Sequence, residues 1–209
     1  MRTLPTLKTI AAAALLATAG SGALAQASGS FACITSNSAA SCAQGASALS
    51  WTWTGAVFTI FNAAIGGGYN GYVSEVYFDL TSPMTVSFNL AASSATGVSF
   101  SGGANPSRLP GGSSYGFTSD AAFDSDRTGR GSPTWGIDPG ERAAFSFTGA
   151  TSSSFDAGTL AAGVHVRRLV NGQSESFVTT AVPEPSTYAL MLAGLGLVGF
   201  MARRRRSAV

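Results

Sequence analysis

Charge is scarce in this chain. Asp, Glu, Lys and Arg make up 11% of its 209 residues, Lys8 is the sole lysine and His165 the sole histidine. Six of the twelve positive charges, Arg2, Lys8 and Arg203 to Arg206, sit at the two ends. Positions 28–182 then hold six arginines against nine carboxylates, a net of −3. The sequence pI of 8.7 is therefore a property of the ends, and a basic nucleic-acid surface is excluded as a partner site. Cysteine is equally rare, with only Cys33 and Cys42. Eight residues separate them, there is no third cysteine, and the one histidine is distant, which argues against a zinc site. Amphipathic helical periodicity and internal repeats are missing from the middle of the chain, so helical bundles and solenoids are not expected there. No cofactor is expected either.

What is present is concentrated at the termini. Residues 1–25 carry Arg2 and Lys8, an apolar run over 10–16, and then Ala23-Leu24-Ala25. That order is a secretory signal peptide with an A-x-A cleavage site at Ala23 and Ala25. At the other end, Pro183-Glu184-Pro185 precedes an uncharged stretch over 187–202 and then Arg203, Arg204, Arg205 and Arg206. Sixteen helical residues span about 24 Å, slightly short of a hydrocarbon core of about 30 Å. The four arginines form a cytoplasmic stop by the positive-inside rule. Pro183 and Pro185 hold the segment before the membrane extended, which suits a protease.

This tail resembles the PEP-CTERM sorting domain, also catalogued as the ice-binding protein C-terminal domain. The resemblance rests on 182–187, the helix that follows and the arginines, about 27 of 209 residues. It implies recognition and cleavage by an exosortase, a membrane-embedded cysteine protease. It also implies transient anchoring in the inner membrane, then delivery to the cell surface or the extracellular matrix of polysaccharide-producing bacteria. Export places Cys33 and Cys42 in an oxidising compartment, where a disulfide closing a small loop is expected.

Positions 26–181 remain as one secreted domain. Residues 49–61 (LSWTWTGAVFTIF) alternate Trp51 and Trp53 with Thr52 and Thr54. Residues 72–80 form a second strand pattern, with Val73, Glu75, Tyr77 and Asp79 on one face. Residues 84–90 put Met84, Val86, Phe88 and Leu90 on one face. Shorter candidates are 97–100 and 144–147. The last is a hairpin, residues 164–170 and 175–180, turning at Asn171-Gly172. Between 101 and 140 lies a long Gly/Ser-rich loop. The fold class expected is all-β, a single β-sandwich-like domain flanked by the signal peptide and a C-terminal transmembrane helix. The closing hairpin resembles β-sandwich cargo found ahead of such tails, which implies no catalytic residue.

Three constellations could carry chemistry. Gly112-Ser113-Ser114-Tyr115-Gly116 fits G-x-S-x-G, with Asp138 and His165 following in hydrolase order. The nucleophile elbow needs a strand before Ser114 and a helix after it, and neither is signalled. Asp124, Asp126 and Gly129 are spaced as the start of a calcium loop, but Trp135 stands where an EF-hand needs Glu; Asp120, Asp124 and Asp126 are the candidates for a looser calcium site. Trp51 and Trp53 share a strand face and could form a sugar-stacking platform, although core packing is the commoner use. Thr52 and Thr54 alone do not make a repeated flat array. The reading that follows is a non-enzymatic surface or matrix protein associated with exopolysaccharide, a carbohydrate-binding module or a Ser114 hydrolase being the alternatives.

Overall fold

The computed structural model describes residues 26–80, 84–125, 135–149, 160–180 and 194–196. Its elements run β1 (Gln26–Cys33), α1 (Ala39–Ala48), β2 (Leu49–Thr54), β3 (Val57–Asn62), β4 (Tyr72–Leu80) and β5 (Thr85–Phe88). They continue with β6 (Phe100–Gly102), β7 (Ala121–Ser125), β8 (Glu141–Thr148), β9 (Leu160–Arg167) and β10 (Glu175–Thr179). All ten strands join one sheet in the order β5-β8-β3-β2-β1-β10-β9-β4-β7-β6. Every named pair is antiparallel. The all-β expectation is met.

The sheet curls into two facing layers. β1 belongs to both: Ser30 pairs with Ser50 of β2, and the next residue, Phe31, pairs with Thr179 of β10. The two edge strands approach each other, with the rings of Phe88 and Phe100 5.7 Å apart, so the sheet is nearly a closed barrel. Closure of this kind leaves little free edge for unwanted pairing.

Aromatic residues fill the space between the layers. Phe78 of β4 meets Phe58, Phe145 and Phe147 of the opposite layer edge-on, at 5.8, 5.2 and 5.1 Å. Trp53 meets Phe147 at 5.2 Å, and Trp51 stacks on Phe58 at 5.6 Å. Each such side chain contributes about 1.5–3 kcal/mol through burial. Edge-to-face pairs add about 0.5–1.5 kcal/mol.

Several local expectations are corrected. Residues 49–61 form a hairpin rather than one strand, because Gly55 turns the chain at φ +64°. In β4 the register shifts between Val73 and Glu75. This bulge at Ser74 sends Val73 into the core with Val76 and Phe78, so Val73 does not share a face with Glu75. Leu90 leaves the core face for an exposed 3-10 turn. The 101–140 stretch contains β7, which pairs with both β4 and β6. At the closing hairpin Asn171 and Gly172 take φ of 58° and 73° as expected, but inside a longer connection that begins at Arg168.

Helix α1 has no clear sequence signal. Ser38 caps it, accepting a hydrogen bond from Ser41 N at 3.3 Å. Gly45 lies directly under the Phe177 ring, where any larger side chain would collide. The Cys33–Cys42 disulfide ties the helix to β1.

Candidate functional site

The densest polar chemistry lies on the outer face of the β10-β9-β4-β7 layer. The bulge in β4 turns Glu75 outward, opposite His165 of β9 on one side and Asp124 of β7 on the other. Glu75 is only 1% exposed. It accepts hydrogen bonds from the Ser74 hydroxyl and from Arg167 Nη2, the latter at 2.5 Å. Arg167 Nε also donates to Ser74 Oγ at 3.0 Å. Beside this triplet, His165 Nδ1 lies 3.1 Å from Ser176 Oγ.

A second buried carboxylate organises the neighbouring hinge. Glu175 accepts from Thr35 Oγ1 at 2.5 Å, from Asn37 N at 3.0 Å and from Ser38 N at 2.7 Å. One side chain thus fixes the 35–38 turn, the start of α1 and the start of β10. Carboxylates bonded to several backbone N–H groups are strong anchors.

The layer is covered by residues 103–120. Leu109 and Phe117 pack over Gly163, where a Cβ would stand 2.5 Å from Leu109 Cδ2. Tyr77 donates its hydroxyl to Pro106 O at 2.7 Å. Thr118 N donates to Asp79 Oδ2 and Leu80 N to Asp120 Oδ2, both at 2.8 Å. The covering segment is therefore pinned at both ends and in the middle.

Burial shifts the ionisable groups. It pushes the Glu75 carboxyl above its usual range, an effect larger than the opposing pull of Ser74 and Arg167. Burial, helped by the Arg167 charge, lowers His165 to about 4, so its imidazole is neutral at pH 7. Burial and the nearby Glu141 raise Asp138 to about 6. A neutral imidazole beside Ser176 has the composition of a nucleophile–base pair. Ser176, however, is fully buried and its N–H is bonded to Thr35 Oγ1 at 2.8 Å, so no substrate reaches it. The cluster acts as a packed polar joint.

The sequence-derived sites fall elsewhere. Ser114 is exposed in a 3-10 turn over Gly112–Tyr115, bounded by Gly111 and Gly116 in left-handed conformation. That is not the strand-to-helix elbow a nucleophile needs. Asp138 N donates to Glu141 Oε2 at 2.9 Å, and among the described residues no hydrogen bond joins Ser114, Asp138 and His165. The sugar-platform reading is corrected: Trp51 and Trp53 are 2% and 0% exposed, and Trp51 Nε1 donates to Ser30 O at 3.0 Å. Core packing between the layers consumes both rings. Of the calcium candidates, Asp120 holds Leu80 N and Asp124 faces Glu75, while Asp126 lies outside the described residues. Cys33, Cys42 and Glu175 converge within 4.8 Å, but the sulfurs are joined as a disulfide and offer no thiolate.

Ser74, Ser176 and the Glu75–Arg167 pair were not signalled by the sequence, since 92 positions separate the ion pair. The cleavage residues Ala23 and Ala25 lie outside the described residues, as do Pro183, Glu184, Pro185 and Arg203 to Arg206. Among the described residues no helix is long and apolar enough to cross a membrane. No curated protein and no solved structure matches the chain. The tail does find its family: residues 181–206 match the PEP-CTERM protein-sorting motif, so this chain ends in a PEP-CTERM sorting tail.

Proposed function

We propose that this is an exported protein of the cell surface or extracellular matrix, delivered by an exosortase and associated there with exopolysaccharide without catalysing a reaction. The observation that carries the reading is the sorting motif at residues 181–206. The disulfide between Cys33 and Cys42 suits a body that works in an oxidising compartment. The signal peptide over 1–25 would start export. The uncharged stretch over 187–202 and the arginines after it would hold the chain in the inner membrane until cleavage near Pro183-Glu184-Pro185 releases the body.

The test is fractionation of a host that carries the exosortase. The wild-type chain is expected outside the cell in a shortened form. A Pro183→Ala, Glu184→Ala, Pro185→Ala variant is expected to stay at full length in the inner-membrane fraction, as is the wild type in a host lacking the exosortase. Release of the variant at the wild-type rate and size would overturn the sorting step.

A further inference from the structure

The covering segment does more than shield the second layer. Between its own turns lies a groove of about 560 Å³, with Arg108, Ser113, Phe117, Thr118, Ser119 and Asp120 among its walls. That volume falls within the usual range of small-ligand sites, about 300–1,000 Å³. Three independent features give it a chemical character.

The first is an aromatic ring held out to solvent. Tyr115, placed between the lining residues Ser113 and Gly116, is 61% exposed, the most of any aromatic residue described. It makes no hydrogen bond or ring contact among the described residues. The buried tryptophans offer nothing of the kind.

The second is rigidity beneath the ring. Gly116 N bonds Ser113 O at 3.2 Å, Phe117 N bonds Gly112 O at 3.0 Å, and Leu109 N bonds Ser119 Oγ at 3.1 Å. Phe117 and Leu109 anchor this turn on Gly163. A ring on so short and anchored a turn loses little freedom when a ligand stacks on it.

The third is a matched donor and acceptor. Arg108 is exposed and has no ion-pair partner among the described residues, and its guanidinium offers only donors. Asp120, also among the lining residues, is exposed, uses Oδ2 for Leu80 N, and offers further acceptor capacity. Their charges cancel, so the pair by itself favours neither a neutral nor an acidic sugar. A pyranose has an apolar face of C–H bonds for an aromatic ring and vicinal hydroxyls that both accept and donate.

We propose that this groove, with Arg108 and Asp120 among its lining residues and Tyr115 in the turn beside it, binds a pyranose unit of an extracellular polysaccharide. The proposal rests on the polysaccharide association put forward above and names the surface that performs it.

The experiment is co-sedimentation of the processed protein, recovered from its exporting host, with three probes: that host's own exopolysaccharide, dextran as a neutral polymer and alginate as a uronate polymer. The wild type is expected to bind at least one probe saturably. Tyr115→Ala and Arg108→Ala are each expected to weaken that binding about tenfold or more, with an unchanged near-ultraviolet circular dichroism spectrum. Trp135→Ala, which alters the other exposed aromatic among the described residues, is expected to bind as the wild type does. Binding to dextran would assign a neutral sugar and binding to alginate an acidic one, both in support. Equal binding by the wild type, Tyr115→Ala and Arg108→Ala would overturn the groove and leave polysaccharide association standing. Failure of the wild type to bind any of the three would overturn both.

Discussion

The two layers of the barrel share a core and differ in what lies behind them. Behind β2 and β3 the outward residues include a hydroxylated row: Ser28, Thr52 and Thr59 line up across β1, β2 and β3. Burial there alternates residue by residue along β3. Behind β4 and β9 the outward residues are Glu75, Tyr77, His165 and Arg167, and the 103–120 segment lies over that face. Burial along β4 is unbroken from Tyr72 to Phe78. One layer meets water on one side, and the other is enclosed on both. An enclosed layer can keep ionisable groups only by pairing them, and that is where its polar joint comes from.

The largest effect that would sharpen this contrast is loss of the ion pair. Arg167→Ala leaves Glu75, 1% exposed, without its cation and should cost about 3–5 kcal/mol. The lower end is expected, since the Arg167 side chain is 34% exposed and water can follow it. Arg142→Ala, on the outer side of the open layer, should cost about 0.5 kcal/mol. Urea denaturation of both variants measures the difference. Glu75→Leu with Arg167→Met should recover most of the loss, because apolar replacements leave no charge unpaired. Equal costs for the two single variants would erase the distinction between the layers.

Legibility from sequence follows the same division. The alternation over 49–61 could be read because one side of that hairpin is wet, and both tryptophans fall on the buried side. The β4 pattern misleads by one residue, because the bulge at Ser74 inverts the parity that sequence counting assumes. β7, with the sequence AAFDS, has few strand formers and exists because it is held between β4 and β6. Helix α1 is built from small residues so that Gly45 can sit beneath Phe177, which removes the apolar stripe that would announce it. The Gly/Ser-rich covering segment has no periodicity at all, and its order comes from tertiary contacts to Tyr77, Asp79 and Gly163. The sorting tail was legible because its signal is local in sequence.

Acid should separate the layers next. His165 is lowered to about 4 in the folded protein against about 6.5 unfolded. Between those values the unfolded chain binds more protons, so stability falls as pH falls from 6.5 to 4. The full effect is about 3 kcal/mol. Glu75 and Asp138 are raised by burial, so their contributions run the other way and are lost as pH rises. His165→Asn keeps a partner for Ser176 and leaves both carboxyls in place. Its melting temperature should therefore drop less than that of the wild type between pH 7 and pH 4.5. An identical drop in both proteins would show that His165 is not held neutral.

Reduction of the Cys33–Cys42 link comes third. It closes a loop of 9-residue separation, and its removal should cost about 2–3 kcal/mol. The location of the damage is the sharper readout. Amide exchange in Cys33→Ser with Cys42→Ser should quicken over 34–38 and 175–177, where Glu175 holds the hinge, and stay unchanged over 57–62 in the open layer.

The smallest effect belongs to the open face, and its smallness is the point. Thr52 is outward on β2, paired with Ser28 and Thr59, and only partly covered. Thr52→Val keeps the β-branched shape that suits a strand and removes a hydroxyl that water reaches in both the folded and unfolded states. No buried partner is left unsatisfied, so the change in stability should stay within about 0.5 kcal/mol in urea denaturation. A loss of about 1.5 kcal/mol or more would mean that the hydroxyl is desolvated in the folded protein. The face behind β2 and β3 would then be covered as the other is, and the two layers would be alike after all.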